Sequence, residues 1–181
     1  HMSKFLASLR SIVGAEWVLS TPEAVAPFEC DALFHLRQRP IAVVLPGSEE
    51  EVLAVVRVCF ETCVPIVPRG AGTSLSGGAT PVANGIVMSI NRLKKLSIDA
   101  GSKQAVAQPG VRNLVVSQEA ASHGLFFAPD PSSQAASTIG GNIAENAGGV
   151  HCVKYGLTVN NVLGLRMVCG TGELLEIGRG S

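Results

Sequence analysis

The sequence predicts a folded domain of mixed helices and strands that carries its ligand contacts on glycine-rich loops. Three observations predict it. Residues 40–68 read as strand, helix and strand. Residues 93–108 and 161–177 each read as two strands about a short turn. Two stretches, 68–78 and 132–149, concentrate glycine with serine, threonine and asparagine.

Composition narrows the class. At 181 residues the chain suits one domain, or one and a half. With 46% hydrophobic and 15% charged residues it is a folding sequence. Zero formal net charge argues against a nucleic-acid partner. No apolar run reaches the length of a transmembrane segment. Five cysteines (Cys30, Cys59, Cys63, Cys152, Cys169) lack framework spacing and read as free, mostly buried thiols in a reducing compartment. Cys59 and Cys63 lie four apart on a helix, but no second Cys/His pair completes a metal site, so small buried hydrophobes is the reading taken. His1-Met2 reads as the remnant of an expression tag.

The elements follow in order. Residues 3–13 put Phe5, Leu6, Leu9, Ile12 and Val13 on one helical face, with Gly14 as the stop. Residues 17–39, broken by Pro22 and Pro27, read as an irregular segment wrapped over a domain surface. Pro40 and Pro46 bracket an apolar run with the look of a buried strand. Ser48 and Glu51 have capping-box spacing. The helix they open runs to about residue 63, with Val52, Val55, Val56, Cys59 and Phe60 on its inner face. Residues 64–68 complete a βαβ unit, expected to cross over right-handed. It delivers the first glycine loop at the C-terminal end of a strand, where open α/β folds bind ligands.

Residues 85–90 form a further strand, and 93–99 with 104–108 a hairpin about Ala100-Gly101-Ser102. A helix over 111–123 has Leu114, Val115, Ala120 and Ala121 apolar and ends at Gly124. Residues 125–128 are extended, 139–145 a short helix, and 161–169 with 173–177 strands about Gly170-Thr171-Gly172. No closing element follows before Gly178-Arg179-Gly180-Ser181.

The loops read as donor arrays. Glycine permits φ > 0 and close approach of a ligand to the backbone, and successive N–H groups can converge on an anion. The first loop lacks the lysine of a P-loop, and its third glycine is misplaced for a Rossmann fingerprint. Alone it is either an anion cradle or a tight surface turn. Paired with the second stretch, it suggests a large cofactor gripped at two places. Eight aromatics in 181 residues argue against a stacked base.

Arg69-Gly70-Ala71-Gly72-Thr73-Ser74-Leu75-Ser76-Gly77-Gly78, followed by Ser137-Thr138-Ile139-Gly140-Gly141-Asn142-Ile143-Ala144-Glu145-Asn146-Ala147-Gly148-Gly149-Val150-His151-Cys152-Val153-Lys154-Tyr155-Gly156, closely resembles the flavin-binding domain of the vanillyl-alcohol oxidase / p-cresol methylhydroxylase superfamily. Within it the likeness is to the branch of glycolate oxidase D subunits and the D-lactate and D-2-hydroxyglutarate dehydrogenases, over about residues 15–178. A UDP-sugar enolpyruvate reductase of the same superfamily fits the first loop but not residues 142–155.

The resemblance implies an α+β, two-lobed FAD-binding domain of the p-cresol methylhydroxylase type. An N-terminal helix and wrapping segment (3–39) would precede a first lobe (40–92) and the start of a second, incomplete lobe (93–181), with FAD extended between them. It implies that pyrophosphate meets the first loop at Arg69, Gly70, Ala71, Gly72, Thr73, Ser74, Ser76 and Gly77. Pro129, Asp130, Ser133, Ser137, Thr138, Gly141, Asn142, Ala144, Asn146 and Gly148 would line the pyrophosphate and the isoalloxazine, and the backbone near Ile177 the adenine end.

Family chemistry implies oxidation of a 2-hydroxy acid such as glycolate or D-lactate. A base takes the hydroxyl proton, hydride goes to flavin N5, and electrons pass to a separate acceptor. Catalytic residues would lie in a substrate cap beyond residue 181, making this the N-terminal part of a longer protein. Partner subunits, one flavoprotein-like and one carrying iron–sulfur clusters, and a cytoplasmic or inner-membrane-associated location are also implied. Some relatives link flavin through a histidine in the first loop; residues 69–79 contain none, so non-covalent FAD is expected.

Single residues carry weaker expectations. Arg69 is read as cofactor-proximal, Asp130 as a turn-former touching the second stretch, and Glu145 as a helix-face carboxylate in an ion pair. His151 is read as a packed or surface histidine, with a flavin-facing role as the alternative. His35 and His123 are read as structural, and Tyr155 as either flanking flavin or packing.

Overall fold

The structure is a computed structural model that describes residues 2–178. His1 and the tail after Gly178 lie outside the described residues. The chain separates into two units, residues 2–92 with 164–178, and residues 93–163.

The first unit opens with α1 (Met2–Val13), whose Phe5, Leu9 and Val13 are buried. Gly14, at φ 94°, ends it as expected. The next segment is not irregular throughout. Val18–Leu19 form a strand, β1, and Pro22–Val25 a helical turn, α2, capped by Thr21. Then come β2 (Ala42–Val44), α3 (Glu49–Glu61), β3 (Ile66–Arg69) and β4 (Ile86–Ser89).

The sheet runs β1-β2-β4-β3, with β1 antiparallel to β2 and the other three strands mutually parallel. The β2–α3–β3 unit therefore spans one strand position, which β4 fills. β2 and β4 are buried on both faces, which is why each reads as an unbroken apolar run. Ala42, Val44, Ile86 and Met88 meet α1 and α3, while Val43 and Val87 meet Val25, Leu19 and Phe28. The wrapping segment is thus the second cover of the sheet.

Helix α3 keeps half of its predicted capping box. Ser48 Oγ accepts from Glu51 N at 3.2 Å, but the Glu51 carboxylate accepts from Gly47 N at 2.6 Å. Val55, Val56 and Cys59 face the core, but Phe60 is 58% exposed. At about 100° per residue, Phe60 lies beyond the edge of the stripe that Val52, Val56 and Cys59 define. Only Cys59 among the cysteines is buried, and Cys63 is exposed. Burial pushes the Cys59 thiol up to about 11.

The second unit begins with the expected hairpin, β5 (Leu96–Asp99) and β6 (Gln104–Ala107), in which Asp99 pairs with Gln104. Asp99 holds its turn by accepting from Gly101 N, Ser102 N and Ser102 Oγ. Helix α4 (Asn113–Ala120) continues as a short 3-10 turn to His123. Its buried face is Asn113, Val116 and Ala120; of the expected apolar residues Ala120 is buried, Leu114 and Val115 are half-buried and Ala121 is exposed. Helix α5 (Ile139–Glu145) falls where predicted, and α6 (Cys152–Tyr155) follows, with residues 158–161 in a 3-10 turn.

The chain ends in the hairpin β7 (Gly164–Val168) and β8 (Leu174–Gly178). It rejoins the first unit: Arg166 forms a two-pronged pair with Glu49 at the start of α3, at 2.7 and 2.9 Å, and Arg57 donates to Gly172 O at 3.2 Å. Among the described residues no helix is long and apolar enough to cross a membrane.

Candidate functional site

The first glycine loop leaves the C-terminal end of β3, beside β4. Arg69 pairs with Ser89, and Arg69 O accepts from Ile90 N at 3.0 Å. Beyond that point the loop gives up regular pairing. The N–H groups of residues 70–75 and 77–79 have no hydrogen-bond acceptor among the described residues. Gly72 and Gly77 adopt φ 71° and 75°, the left-handed conformation that side chains resist. The result is a run of backbone donors at a strand end, which suits a bound anion.

The side chains of this loop serve its shape. Arg69 Nη1 donates to Cys30 O at 2.6 Å, and its guanidinium lies 5.4 Å over the Phe28 ring. Burial draws the Arg69 pKa down, and the nearby Cys30 and Asp31 oppose that shift. Ser74 Oγ accepts from Ser76 N at 3.0 Å, and Ser74 O accepts from Ala32 N at 3.0 Å. Thr73 has no hydrogen bond among the described residues, so its hydroxyl remains available.

The second stretch is built around a buried amide pair. Asn113, with no exposed surface, donates from Nδ2 to Pro129 O at 2.9 Å and accepts at Oδ1 from Asn142 Nδ2 at 2.9 Å. This ties α4, the Pro129 turn and α5 together. The start of α5 spends its donors inside the protein. Ile139 N goes to Val111 O at 2.8 Å, Gly140 N to Pro109 O at 3.0 Å, and Gly141 N to Thr138 Oγ1 at 3.4 Å. A helix start ordinarily leaves such groups free for an anion; here none is free. Sequence reasoning does not single out Asn113. Its signal is the pairing with Asn142, which only the fold reveals.

Donors reappear further on. Gly148, Gly149 and Val150 have N–H groups without an acceptor among the described residues. Asp130 holds this turn: its Oδ1 accepts from His151 N at 3.3 Å, and its Oδ2 lies in hydrogen-bond contact with His151 Nδ1. The His151 ring bond, chiefly, holds the Asp130 carboxyl below the usual carboxylate range. Ser137 Oγ is buried without a partner among the described residues.

Other residues singled out in the sequence spread more widely. Ser133 O accepts from Ala136 N and Ser137 N. Asn146, left-handed at φ 52°, ends α5 and accepts from Val159 N at 3.0 Å. Ala144 is exposed, and Glu145 is exposed with no ion pair among the described residues, contrary to expectation. Tyr155 packs edge-on to Phe126 at 5.8 Å. Ile177 lies on β8 opposite Leu165, 52% exposed.

Each stretch taken by itself suits part of a dinucleotide flavin. Free amides at 70–75 suit a pyrophosphate, and the amides at 148–150 with the unpartnered Ser137 hydroxyl suit polar atoms of a cofactor. The fold and these loops define a flavoprotein domain. The chain belongs to the FAD binding domain family, whose pattern matches residues 40–178, and FAD is its cofactor.

The chain is 51% identical over 174 residues to the glycolate oxidase subunit GlcD of Escherichia coli (strain K12), covering 96% of this chain and 35% of that protein. It is 39% identical over 158 residues to a D-lactate dehydrogenase of Archaeoglobus fulgidus, covering 87% of this chain and 34% of that one. Among solved structures, an alkyldihydroxyacetonephosphate synthase superposes with TM-score 0.88 at 25% identity, covering 99% of this chain and 35% of the other. Substrate-bound p-cresol methylhydroxylase has the same fold at TM-score 0.80 and 21% identity, covering 96% of this chain and 35% of that enzyme. The α+β fold is therefore of the p-cresol methylhydroxylase type. The chain spans about a third of the length of the curated relatives it matches.

Proposed function

We propose that this chain is the FAD-binding part of a dehydrogenase that oxidises a 2-hydroxy acid of the glycolate or D-lactate type. The carrying observation is the run of unpartnered amides at 70–75 on the end of β3, within a sequence half identical to a glycolate oxidase subunit. Bound FAD supplies the electron sink, taking up hydride at N5. The chain's own residues hold and orient it. The amides from Gly70 to Ser74, with Thr73, Ser76 and Gly77, receive the pyrophosphate. Ser137, Gly148 and the turn held by Asp130 receive polar atoms of the flavin end, while Thr138, Gly141 and Asn142 shape that wall. The backbone beside Ile177 receives the adenine end.

FAD is held without a covalent bond, since no histidine lies in residues 69–79. The base and the carboxylate-binding groups belong to a substrate cap outside these residues. A partner subunit carrying iron–sulfur clusters accepts the electrons, in the cytoplasm or at the inner membrane. The reading of a different class, favoured by the share of its relatives that the chain spans, is a flavin-binding module without turnover of its own.

Titration of the chain with FAD, followed by flavin fluorescence, tests the binding reading. The expected affinity is no better than about micromolar, roughly 8 kcal/mol. Yellow colour should leave the polypeptide on acid precipitation. Absence of saturable quenching overturns the binding reading, and retained colour overturns non-covalent attachment. Dye reduction by glycolate or D-lactate with this chain alone overturns the module reading.

A further inference from the structure

Residues 28–36 lie outside the matched FAD-binding region, yet they contact the first glycine loop repeatedly. Arg69 Nη1 reaches 39 residues back to Cys30 O at 2.6 Å, and the guanidinium covers Phe28. Ala32 N donates to Ser74 O at 3.0 Å. A side chain at Gly77 would meet Leu36 at 3.4 Å and Leu33 at 3.6 Å. Asp31, only 5% exposed, turns the segment by accepting from Leu33 N at 2.8 Å. Glu29 anchors its other side through Arg39 at 2.7 Å and Arg37 at 3.3 Å. The loop itself makes room for this arrangement: the Arg69 guanidinium occupies the space that a side chain at Gly72 would need.

We infer that residues 28–36 form a strap that sets the binding shape of the first glycine loop, and that Arg69 is a positioning residue whose guanidinium serves the strap and not the cofactor phosphates. This rests on the reading that the loop binds FAD. An arginine suits the task because one planar group can stack on a ring and donate to a carbonyl at once. A lysine keeps the charge but not that geometry. The two possible roles of Arg69 therefore separate cleanly. A charge aimed at phosphate is replaceable in part by lysine and makes affinity fall with salt. A strap tie is neither.

The test uses the full chain as wild type, Arg69→Lys and Arg69→Met. FAD affinity is measured at low and high salt, and hydrogen exchange of the Ala32 amide is compared with that of Val43 and Val87 in the sheet. Both variants are expected to lose roughly tenfold or more in affinity, lysine giving no rescue. The salt dependence should stay that of wild type, and Ala32 should exchange faster while the sheet amides hold. Wild-type affinity in Arg69→Lys, with a flattened salt dependence in Arg69→Met, overturns the inference.

If wild type binds no FAD, the functional reading fails and exchange alone judges the strap; unchanged Ala32 exchange in both variants overturns it. Should the Arg69 variants not fold, Phe28→Leu takes their place. It removes the ring beneath the guanidinium while keeping an apolar side chain against Val43 and Val87, and is expected to weaken FAD binding several-fold and speed Ala32 exchange while the Val43 and Val87 amides hold. No change in either overturns the inference.

Discussion

The two glycine-rich stretches look alike on paper and work differently. In the first, Gly72 and Gly77 are needed for conformation, at φ 71° and 75°, and the amides of 70–75 and 77–79 have no acceptor among the described residues. In the second, glycines are needed for space. A side chain at Gly140 would lie 2.6 Å from Pro109 Cβ, one at Gly148 would lie 2.5 Å from Leu157 Cδ2, and one at Gly149 would run into the Asp130 carbonyl. None of those three has a positive φ among the described residues. The first loop is an array of donors shaped from outside by residues 28–36. The second is a packed wall braced by a buried asparagine pair, and past α5 it has unpartnered donors at 148–150 among the described residues. Glycine density therefore marks a ligand loop without saying whether the ligand meets backbone donors or a close-packed surface.

The largest effect expected from breaking this contrast is at the brace. Asn113→Ala strands Asn142 Nδ2 and Pro129 O, two buried polar groups, and should cost about 2–4 kcal/mol in urea unfolding. Loss of less than about 1 kcal/mol would mean the amide pair does not hold the wall.

A matched pair of alanines sharpens the difference between space and conformation. Gly149→Ala meets backbone and should destabilise by about 1–3 kcal/mol. Gly72→Ala meets the movable end of Arg69 but must hold a left-handed φ, so about 1–2 kcal/mol is expected. Its larger consequence should be weaker FAD binding, because the loop's donors shift. Equal affinity losses in the two variants would erase the distinction.

The smallest effect is electrostatic. Asp130 has a depressed pKa in the folded chain, owing first to the His151 ring. A depressed acid adds stability above its unfolded pKa and loses it as pH falls through its folded pKa. Wild type should therefore lose stability below the usual aspartate range by slightly more than Asp130→Asn does, in urea midpoints taken from neutral to acid pH. Parallel curves would show that the His151 contact contributes nothing to the wall.

Much of the fold was legible because it is local. Period-3.6 patterns located α1 and α3, and α5 falls on the short helix expected over 139–145. Unbroken apolar runs located β2 and β4, since strands covered on both faces need no polar positions. What stayed hidden depends on pairing across the chain. β1 is two residues long, and only its partnership with Val43 and Val44 makes it a strand. Phe60 looked like core because it continues an apolar helix, but the stripe ends one residue short of it. Asn113 carries no local signal, because its partner is 29 residues away.

The sequence by itself determined the cofactor class. Backbone-binding loops depend on residue types that free the backbone, and Arg69–Gly78 with Ser137–Gly156 spell those types out in order. Only the tertiary structure decided how each loop is used. Whether an amide is free depends on which carbonyl lies opposite it, and that carbonyl comes from elsewhere in the chain. Val111 and Pro109 take up donors at the start of α5, while no described residue takes up those of residues 70–75. Arg69 shows the same dependence: its place in the motif marks it as cofactor-proximal, and the fold sets its guanidinium on Cys30 O and over the Phe28 ring.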